Sequence, residues 1–150
     1  MEGHLTKERG ILILSKKTCG YEISNLELLD ATNTLQFDLN SLGGEVYNIV
    51  AVYAPDGYTA TYWTQLHKKL TGRSRQKQLI IGDFNTTLDP ILDRQNYDYD
   101  NHIQSRKVIN SWINSDEYLD AFRYIYPESR NFSWRWDGNQ RSKKDKKKAG

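Results

Sequence analysis

Apolar positions along the chain follow two different periods, which predict strands and helices in mixed order. Short apolar runs or alternating patterns are typical of strands, and they occur at residues 11–14, 21–28, 35–39, 46–53, 79–81 and 132–136. Apolar residues three or four apart are typical of helices, and they occur at residues 59–71 and 102–115, with Thr59 and Asn101 as candidate N-caps and Gly72 as a candidate stop. This order predicts a layered α/β or α+β fold whose sheets are not purely parallel.

Two turn signals refine the order. Turn residues at 41–44 join the strands at 35–39 and 46–53 into a predicted hairpin. Asp137-Gly138 is a second hairpin signal after the last predicted strand, but residues 141–148 contain no apolar side chain to form the returning strand.

Composition limits the class of protein. Hydrophobic residues make up 37% of the chain, below the roughly 45–50% of typical globular domains, so we expect a thin core. The net charge of +2 combines +5 in residues 141–150 with −3 in the rest, and such like-charge runs are commonly solvated tails. A single cysteine excludes an internal disulfide.

No apolar run approaches the roughly 18 residues that a membrane span requires, and Met1–Gly10 is too polar for a secretory signal. We therefore expect an intracellular protein, nuclear or cytoplasmic, without a membrane partner.

The sharpest local motif is Gly82-Asp83-Phe84-Asn85, directly after the apolar strand at 79–81. Polar side chains that follow a buried strand lie where α/β folds usually build sites. Asp83 can orient a water or act as a base, and the Asn85 amide can donate to a phosphate oxygen, so both suit phosphodiester hydrolysis. A plain Asp/Asn turn is the alternative interpretation. Tyr53 ends another strand, where its hydroxyl can point into a polar cleft.

Three other features have two interpretations each. A basic segment can contact DNA phosphates or be a solvated helix end, and we favour the helix end. Two tryptophans on one strand can stack on bases or belong to the core, and we favour the core. Carboxylates after the motif can hold Mg²⁺ or be hydrated. These groups are Lys68, Lys69, Arg73, Arg75 and Lys77; Trp134 and Trp136; and Asp89 and Asp93.

Taken in order, three of these segments resemble the endonuclease/exonuclease/phosphatase superfamily. They are Val52-Tyr53-Ala54-Pro55, the run from Leu79 to Leu88, and Leu92-Asp93-Arg94. The nearest branch is that of the endonucleases of non-LTR retrotransposons. Residues 9–14, 119–127 and 132–135 also resemble this branch, so the resemblance spans about residues 9 to 145.

The resemblance implies a fold, a reaction and a site. The fold is an α/β fold, here an incomplete four-layer α/β sandwich of two packed mixed sheets with outer helices. The reaction is Mg²⁺-dependent cleavage of phosphodiester bonds in DNA, with Mn²⁺ as a substitute. Asp83 would position or activate the water, Asn85 would bind the scissile phosphate, and Tyr53 would lie beside it. The partial domain would occupy residues 9–140, between a flexible N-terminus at 1–8 and a basic tail at 141–150.

The chain also departs from this family. The family's metal-binding Glu should precede Arg9, where only eight residues stand, and its terminal Ser-Asp-His motif is absent. The late Ser-x-x-Asp segment is matched only by residues 142–145, so Asp83 and Asp145 are the remaining candidate metal ligands. We therefore expect a domain truncated at both ends, with little or no activity. Its unpaired sheet edges would favour association.

Three hypotheses follow. The first is a nuclease-like phosphodiesterase domain, impaired by the missing Glu and His. The second is a catalytically dead remnant that acts as a binding module or has no function. The third is a phosphatase or phosphoesterase that acts on small molecules.

Overall fold

A computed structural model describes residues 10–30, 33–56, 60–71, 77–94, 102–115 and 117–130. Within these ranges the chain forms the strands β1 (Tyr21–Asp30), β2 (Thr34–Ser41), β3 (Val46–Tyr53) and β4 (Gln78–Asp83). The helices are α1 (Ala60–Thr71), between β3 and β4, followed after β4 by α2 (Pro90–Asp93), α3 (Ile103–Asn114) and α4 (Ala121–Ile125).

The four strands form one mixed sheet in the order β1-β2-β3-β4. The pairs β1/β2 and β2/β3 are antiparallel, and β3/β4 is parallel. This confirms the predicted α/β content and the mixed character of the sheet. The predicted hairpin is also confirmed, because Phe37 aligns with Ile49 and the Ser41 N–H donates to Glu45 O at 2.8 Å across the turn. The part of the chain that the structure describes contains this one sheet.

The two predicted long helices are confirmed as α1 and α3. Their candidate caps Thr59 and Asn101 and the candidate stop Gly72 lie outside the described residues. The predicted strand at 132–136 and the turn that follows it also lie outside them.

The strand predicted at residues 11–14 is wrong. This segment has no regular secondary structure, and Leu12 and Leu14 are 80% and 84% exposed. An apolar run becomes a strand only where a neighbouring strand can pair with it. Among the described residues no strand pairs with this run, and the outer edge of β1 is not used for it.

The core lies between one face of the sheet and the helices α1 and α3. Val50 and Val52 of β3 are almost fully buried there, as are Trp63 of α1 and Trp112 of α3. Residues 63, 66 and 70 of α1 share one helix face, which is the face the sequence period predicts, and all three are buried.

The opposite face of the sheet carries a second apolar surface, called the open face below. Because side chains alternate along a strand, its members lie at the positions between those that face the core. Phe37 and Ile49 are buried at its centre, and the residues around them are 40–68% exposed: Ile23, Leu28, Leu79 and Ile81. The sheet therefore has apolar side chains on both faces, one packed against the helices and the other partly exposed.

A chain of side-chain hydrogen bonds crosses all four strands on the face that carries the core. Asn48 Oδ1 accepts from Gln78 Nε2 at 2.7 Å and from Gln36 Nε2 at 3.0 Å, while Asn48 Nδ2 donates to Asp38 Oδ1 at 2.9 Å. Asn25 Nδ2 completes the chain by donating to Asp38 Oδ2 at 2.8 Å. A one-residue slip would break these bonds, so they help to fix the strand register.

Candidate functional site

The carboxyl ends of β3 and β4 meet at one edge of the sheet and bring two predicted site residues together. In the parallel register Tyr53 aligns with Asp83. Adjacent strands lie about 4.8 Å apart, and aligned residues share a face. Two motifs that are well separated in the sequence are therefore neighbours in the fold.

Gly82 lets β4 approach β3 closely just before this edge. Its φ is 132°, and a Cβ atom placed there would lie 1.9 Å from Val52 O. That conformation is accessible to glycine and strained for other residues. The chain then turns at Asn85, whose φ of 45° lies in the left-handed region that asparagine tolerates.

Two hydrogen bonds hold the two strand ends together, and a third closes the turn that follows β4. Asn85 Nδ2 donates to Ala54 O at 2.5 Å, and the Ala54 N–H donates to Asp83 O at 2.8 Å. The Asn85 N–H donates to Asp83 Oδ1 at 2.9 Å. These bonds use one oxygen of the exposed Asp83 carboxylate and one hydrogen of the Asn85 amide. The second carboxylate oxygen and the second amide hydrogen are not used by them.

Phe84 anchors the turn to the core. Its ring stacks on Trp63 of α1, with centroids 5.1 Å apart and planes 17° from parallel. Phe84 points inward, whereas Asp83 on the strand end is exposed. The helix α1 thus supports the candidate site through a residue that carries no polar group.

The carboxylates that follow the motif have structural partners. Asp89 Oδ1 caps α2 by accepting from the N–H groups of Ile91 and Leu92 at 2.9 and 3.1 Å. Asp93 forms an ion pair with Arg123. In the described ranges no group of three or more His, Cys, Asp or Glu side chains could hold a metal ion, and Asp145 lies outside them. At the edge itself the three predicted site residues supply one carboxylate, that of Asp83, and one is the fewest by which proteins usually hold Mg²⁺ together with water and substrate phosphates.

The Asp93–Arg123 ion pair connects two segments on which the resemblance rests, 92–94 and 119–127. The Asp93 side chain is 23% exposed and the Arg123 side chain is 16% exposed. The Arg123 guanidinium also donates to Ser129 O at 2.7 Å, and Asp93 Oδ2 accepts the Asp89 N–H at 2.9 Å. The pair therefore ties α2 to α4.

Replacing Asp93 with asparagine should lower the free energy of unfolding by about 1–3 kcal/mol, because the partly buried guanidinium loses its counter-charge. Urea unfolding followed by circular dichroism measures this. In a double-mutant cycle, Arg123→Met should cost less in the Asp93→Asn background than in the wild type. Additive effects of the two substitutions would show that the pair contributes nothing.

Lys77, the last residue of the basic segment, does not adjoin this edge. Lys77 precedes β4 and Asp83 ends it, so the two are separated by about 20 Å along the strand. Lys77 Nζ donates to Glu45 Oε1 at 2.5 Å and lies 5.3 Å from the centre of the Tyr47 ring. The hydrogen bond raises the pKa of Lys77 and lowers that of Glu45.

Of the other basic residues, Lys68 is exposed and Lys69 donates to Leu29 O. Arg73 and Arg75 lie outside the described residues. Leu29 is near the carboxyl end of β1, which lies at the same end of the sheet as Tyr53. Only Lys77 is thus shown to be remote from Asp83, and a DNA contact by this segment stays a prediction.

The sequence interpretation missed the residues that support the site. Trp63 lies in the helix predicted at residues 59–71 and Phe84 lies within the motif, but the sequence pattern assigns neither of them to the support of the site. The N-cap of α2 could have been predicted. Asp89 directly precedes Pro90, and an Asp followed by a proline is a known signal for the start of a helix. The Ala54 carbonyl that accepts from Asn85 is a backbone group and leaves no signal in the sequence.

None of the helices in the described part of the chain has the length and apolar character needed to cross a bilayer. No protein-family model matches this chain, and no curated protein sequence matches it significantly.

Proposed function

We propose that the edge formed by Tyr53, Asp83 and Asn85 hydrolyses phosphodiester bonds, as in an endonuclease that acts on DNA. The observation that carries the proposal is the register of β3 and β4, which aligns Tyr53 with Asp83 at the strand ends. The resemblance to the endonuclease/exonuclease/phosphatase superfamily rests on the same residues.

The three side chains have complementary chemistry for this reaction. The Asp83 oxygen that does not accept from Asn85 can orient a water and accept its proton as the water oxygen attacks phosphorus. The bond from phosphorus to the leaving oxygen then breaks, and the leaving oxygen takes a proton from solvent water. The second Asn85 amide hydrogen can donate to a non-bridging phosphate oxygen without adding charge. The Tyr53 hydroxyl would lie beside the same phosphate.

Mg²⁺, with Mn²⁺ as a substitute, is the proposed cofactor on the strength of the resemblance. Among the described residues at the edge only Asp83 offers it a carboxylate, so binding would need further ligands.

The two-sheet, four-layer sandwich belongs to the same proposal. The open face supports it, because Leu79 and Ile81 leave half of their surface exposed beside the buried Ile49. A second sheet packed on this face would remove that apolar surface from water.

A binding module without catalysis is the second candidate function. The lone carboxylate at the edge favours it, because among the described residues Asp83 alone would have to hold the metal and act as the base. In this case the edge would bind phosphate through Asn85 and Tyr53 without cleaving it.

The test is nicking of supercoiled plasmid DNA in the presence of Mg²⁺ by the full chain and by Asp83→Asn. This substitution keeps an acceptor for the Asn85 N–H and removes the base, so the nicking rate should fall by about 10²-fold or more. Glu22→Gln is the matched control, because Glu22 is exposed at the far end of β1 and its loss should leave the rate unchanged.

Three results separate the candidates. Nicking that survives Asp83→Asn would refute catalysis by this edge. DNA binding without nicking at high protein concentration would favour the binding module. Hydrolysis of a small aryl phosphate monoester in preference to plasmid DNA would favour a phosphatase.

A further inference from the structure

The strand β4 has an unusual outer edge. Its inner edge pairs with β3, and no strand in the described part of the chain pairs with the outer one. Outer strands are commonly protected from further pairing by lysine, proline or a bulge. The interior of β4, from Gln78 to Gly82, contains none of these, and Leu79 and Ile81 are each 50% exposed.

The backbone of β4 presents a regular set of outward groups. Lys77 O accepts from the Asn48 N–H at 3.1 Å, and Asp83 O accepts from the Ala54 N–H at 2.8 Å. In a parallel pair, successive residues direct their backbone groups alternately toward and away from the neighbouring strand. The residues between these two that point away from β3 are therefore Gln78, Ile80 and Gly82.

The segment from Lys77 to Asp83 is complementary to itself when it is read in the antiparallel direction. With Ile80 opposite Ile80 of the second copy, Gln78 faces Gly82 and Leu79 faces Ile81. Lys77 then faces Asp83 at both ends of the seam. Every outward residue falls in a hydrogen-bonded pair, and the half-exposed side chains of Leu79 and Ile81 meet. At each end of the seam Lys77, which also pairs with Glu45 of its own chain, lies opposite an Asp83 of the other copy.

We propose that two copies of this chain associate edge to edge through β4, around a twofold axis at Ile80. The two four-stranded sheets become one continuous sheet of eight strands. Cross-strand apolar and opposite-charge pairs both stabilise antiparallel sheets. If the register shifted by one residue, the outward backbone groups of one copy would lie opposite residues of the other copy whose backbone groups point toward β3. A shift by two would remove the opposite charge from Lys77 or Asp83. The two charged ends favour a second copy over an unrelated peptide strand.

The proposal does not rest on the proposed function, because it requires only the backbone and the charges of β4, although Asp83 takes part in both. A single strand seam is smaller than the roughly 1,200–2,000 Å² of a standard protein interface. The association should therefore be weak and reversible, and the dimer should form only toward the upper end of a concentration series.

Sedimentation equilibrium of the full chain, from micromolar to millimolar concentration, tests the proposal. Leu79→Lys should weaken the dimer by about tenfold or more, because it sets a lysine against Ile81 of the second copy and close to Lys77. Leu28→Lys is the matched control, since Leu28 is a similarly exposed leucine of the open face that lies on β1. Its dimer should be unchanged.

A charge exchange gives a second measurement. Lys77→Asp alone and Asp83→Lys alone should each weaken the dimer, because like charges then meet at the ends of the seam. The double variant Lys77→Asp/Asp83→Lys should restore it, and circular dichroism checks that each variant is folded. A wild-type monomer at every concentration would overturn the proposal. So would equal loss from Leu28→Lys and Leu79→Lys, which would place the contact on the open face, or a double variant no stronger than the single ones.

Discussion

Replacing Gly82 with alanine should destabilise the fold severely. The new Cβ would lie 1.9 Å from Val52 O and 2.9 Å from Val52 C, and both are backbone atoms that cannot rotate away. The φ of 132° is also strained for any L side chain. Relief would require β4 to move away from β3, which breaks the ladder that aligns Tyr53 with Asp83. The loss should exceed about 4 kcal/mol, a large share of the 5–15 kcal/mol that typically stabilises a domain.

Two other glycines in the chain calibrate this result. Gly43→Ala should be nearly neutral, because its Cβ would make an ordinary contact with Ser41 Oγ at 3.6 Å. Gly44→Ala meets open space but has a φ of 83°, so it should lose about 1–2 kcal/mol. Urea unfolding followed by circular dichroism ranks the three variants. If Gly82→Ala unfolds at the same urea concentration as Gly43→Ala, then β3 and β4 do not approach each other as closely at Gly82 as described above.

Replacing Trp63 with alanine should lower the free energy of unfolding by about 3–5 kcal/mol. Trp63 is fully buried and contacts three aromatic rings, those of Tyr62, Phe84 and Trp112, with centroids 5.0–5.8 Å apart. Because the core is thin, few neighbouring side chains can move into the cavity that the substitution leaves. Because Phe84 would lose its stacking partner, the turn between Asp83 and Asn85 should also loosen.

Trp63→Phe provides the comparison. The Trp63 Nε1–H is buried and has no acceptor among the described residues, so phenylalanine removes an unsatisfied donor while it keeps a ring. We expect a loss of about 1 kcal/mol, from the smaller volume. Tyr124→Ala should be nearly neutral, because Tyr124 is 73% exposed. Thermal and urea unfolding check the series, and equal effects of the alanine and phenylalanine variants would show that ring packing at this position is unimportant.

The sequence predicted best those elements that local patterns define. The hairpin β2–β3 follows from alternation on both sides of a turn, and α1 follows from apolar residues at 63, 66 and 70 that all reach the core. In each case the partner lies nearby in the sequence or on the same helix. The prediction of a strand at 11–14 is wrong because an apolar composition is typical of a strand but does not show whether another strand pairs with it.

The candidate site could be predicted only in part. That Tyr53 and Asp83 end two strands is visible in the sequence. That these strands are adjacent and parallel depends on how α1 packs across the sheet, which no local pattern specifies. The same limit applies to Lys77, which counts as part of a basic segment in the sequence but lies at the opposite end of β4 from Asp83. Asp93 looked like a candidate ligand until the fold paired it with Arg123.

The parallel pairing of β3 with β4 has a consequence for the order of folding. The contacts between β1, β2 and β3 close short loops, whereas β4 can join β3 only after residues 54–77 have crossed the sheet. Closing the longer loop loses more chain entropy before any contact compensates for it. The hairpins can therefore form early, and the edge that carries Tyr53 and Asp83 forms only with the last strand pairing. A ribosome-bound chain that ends before residue 78 would have three of the four strands but only Tyr53 of the three site residues.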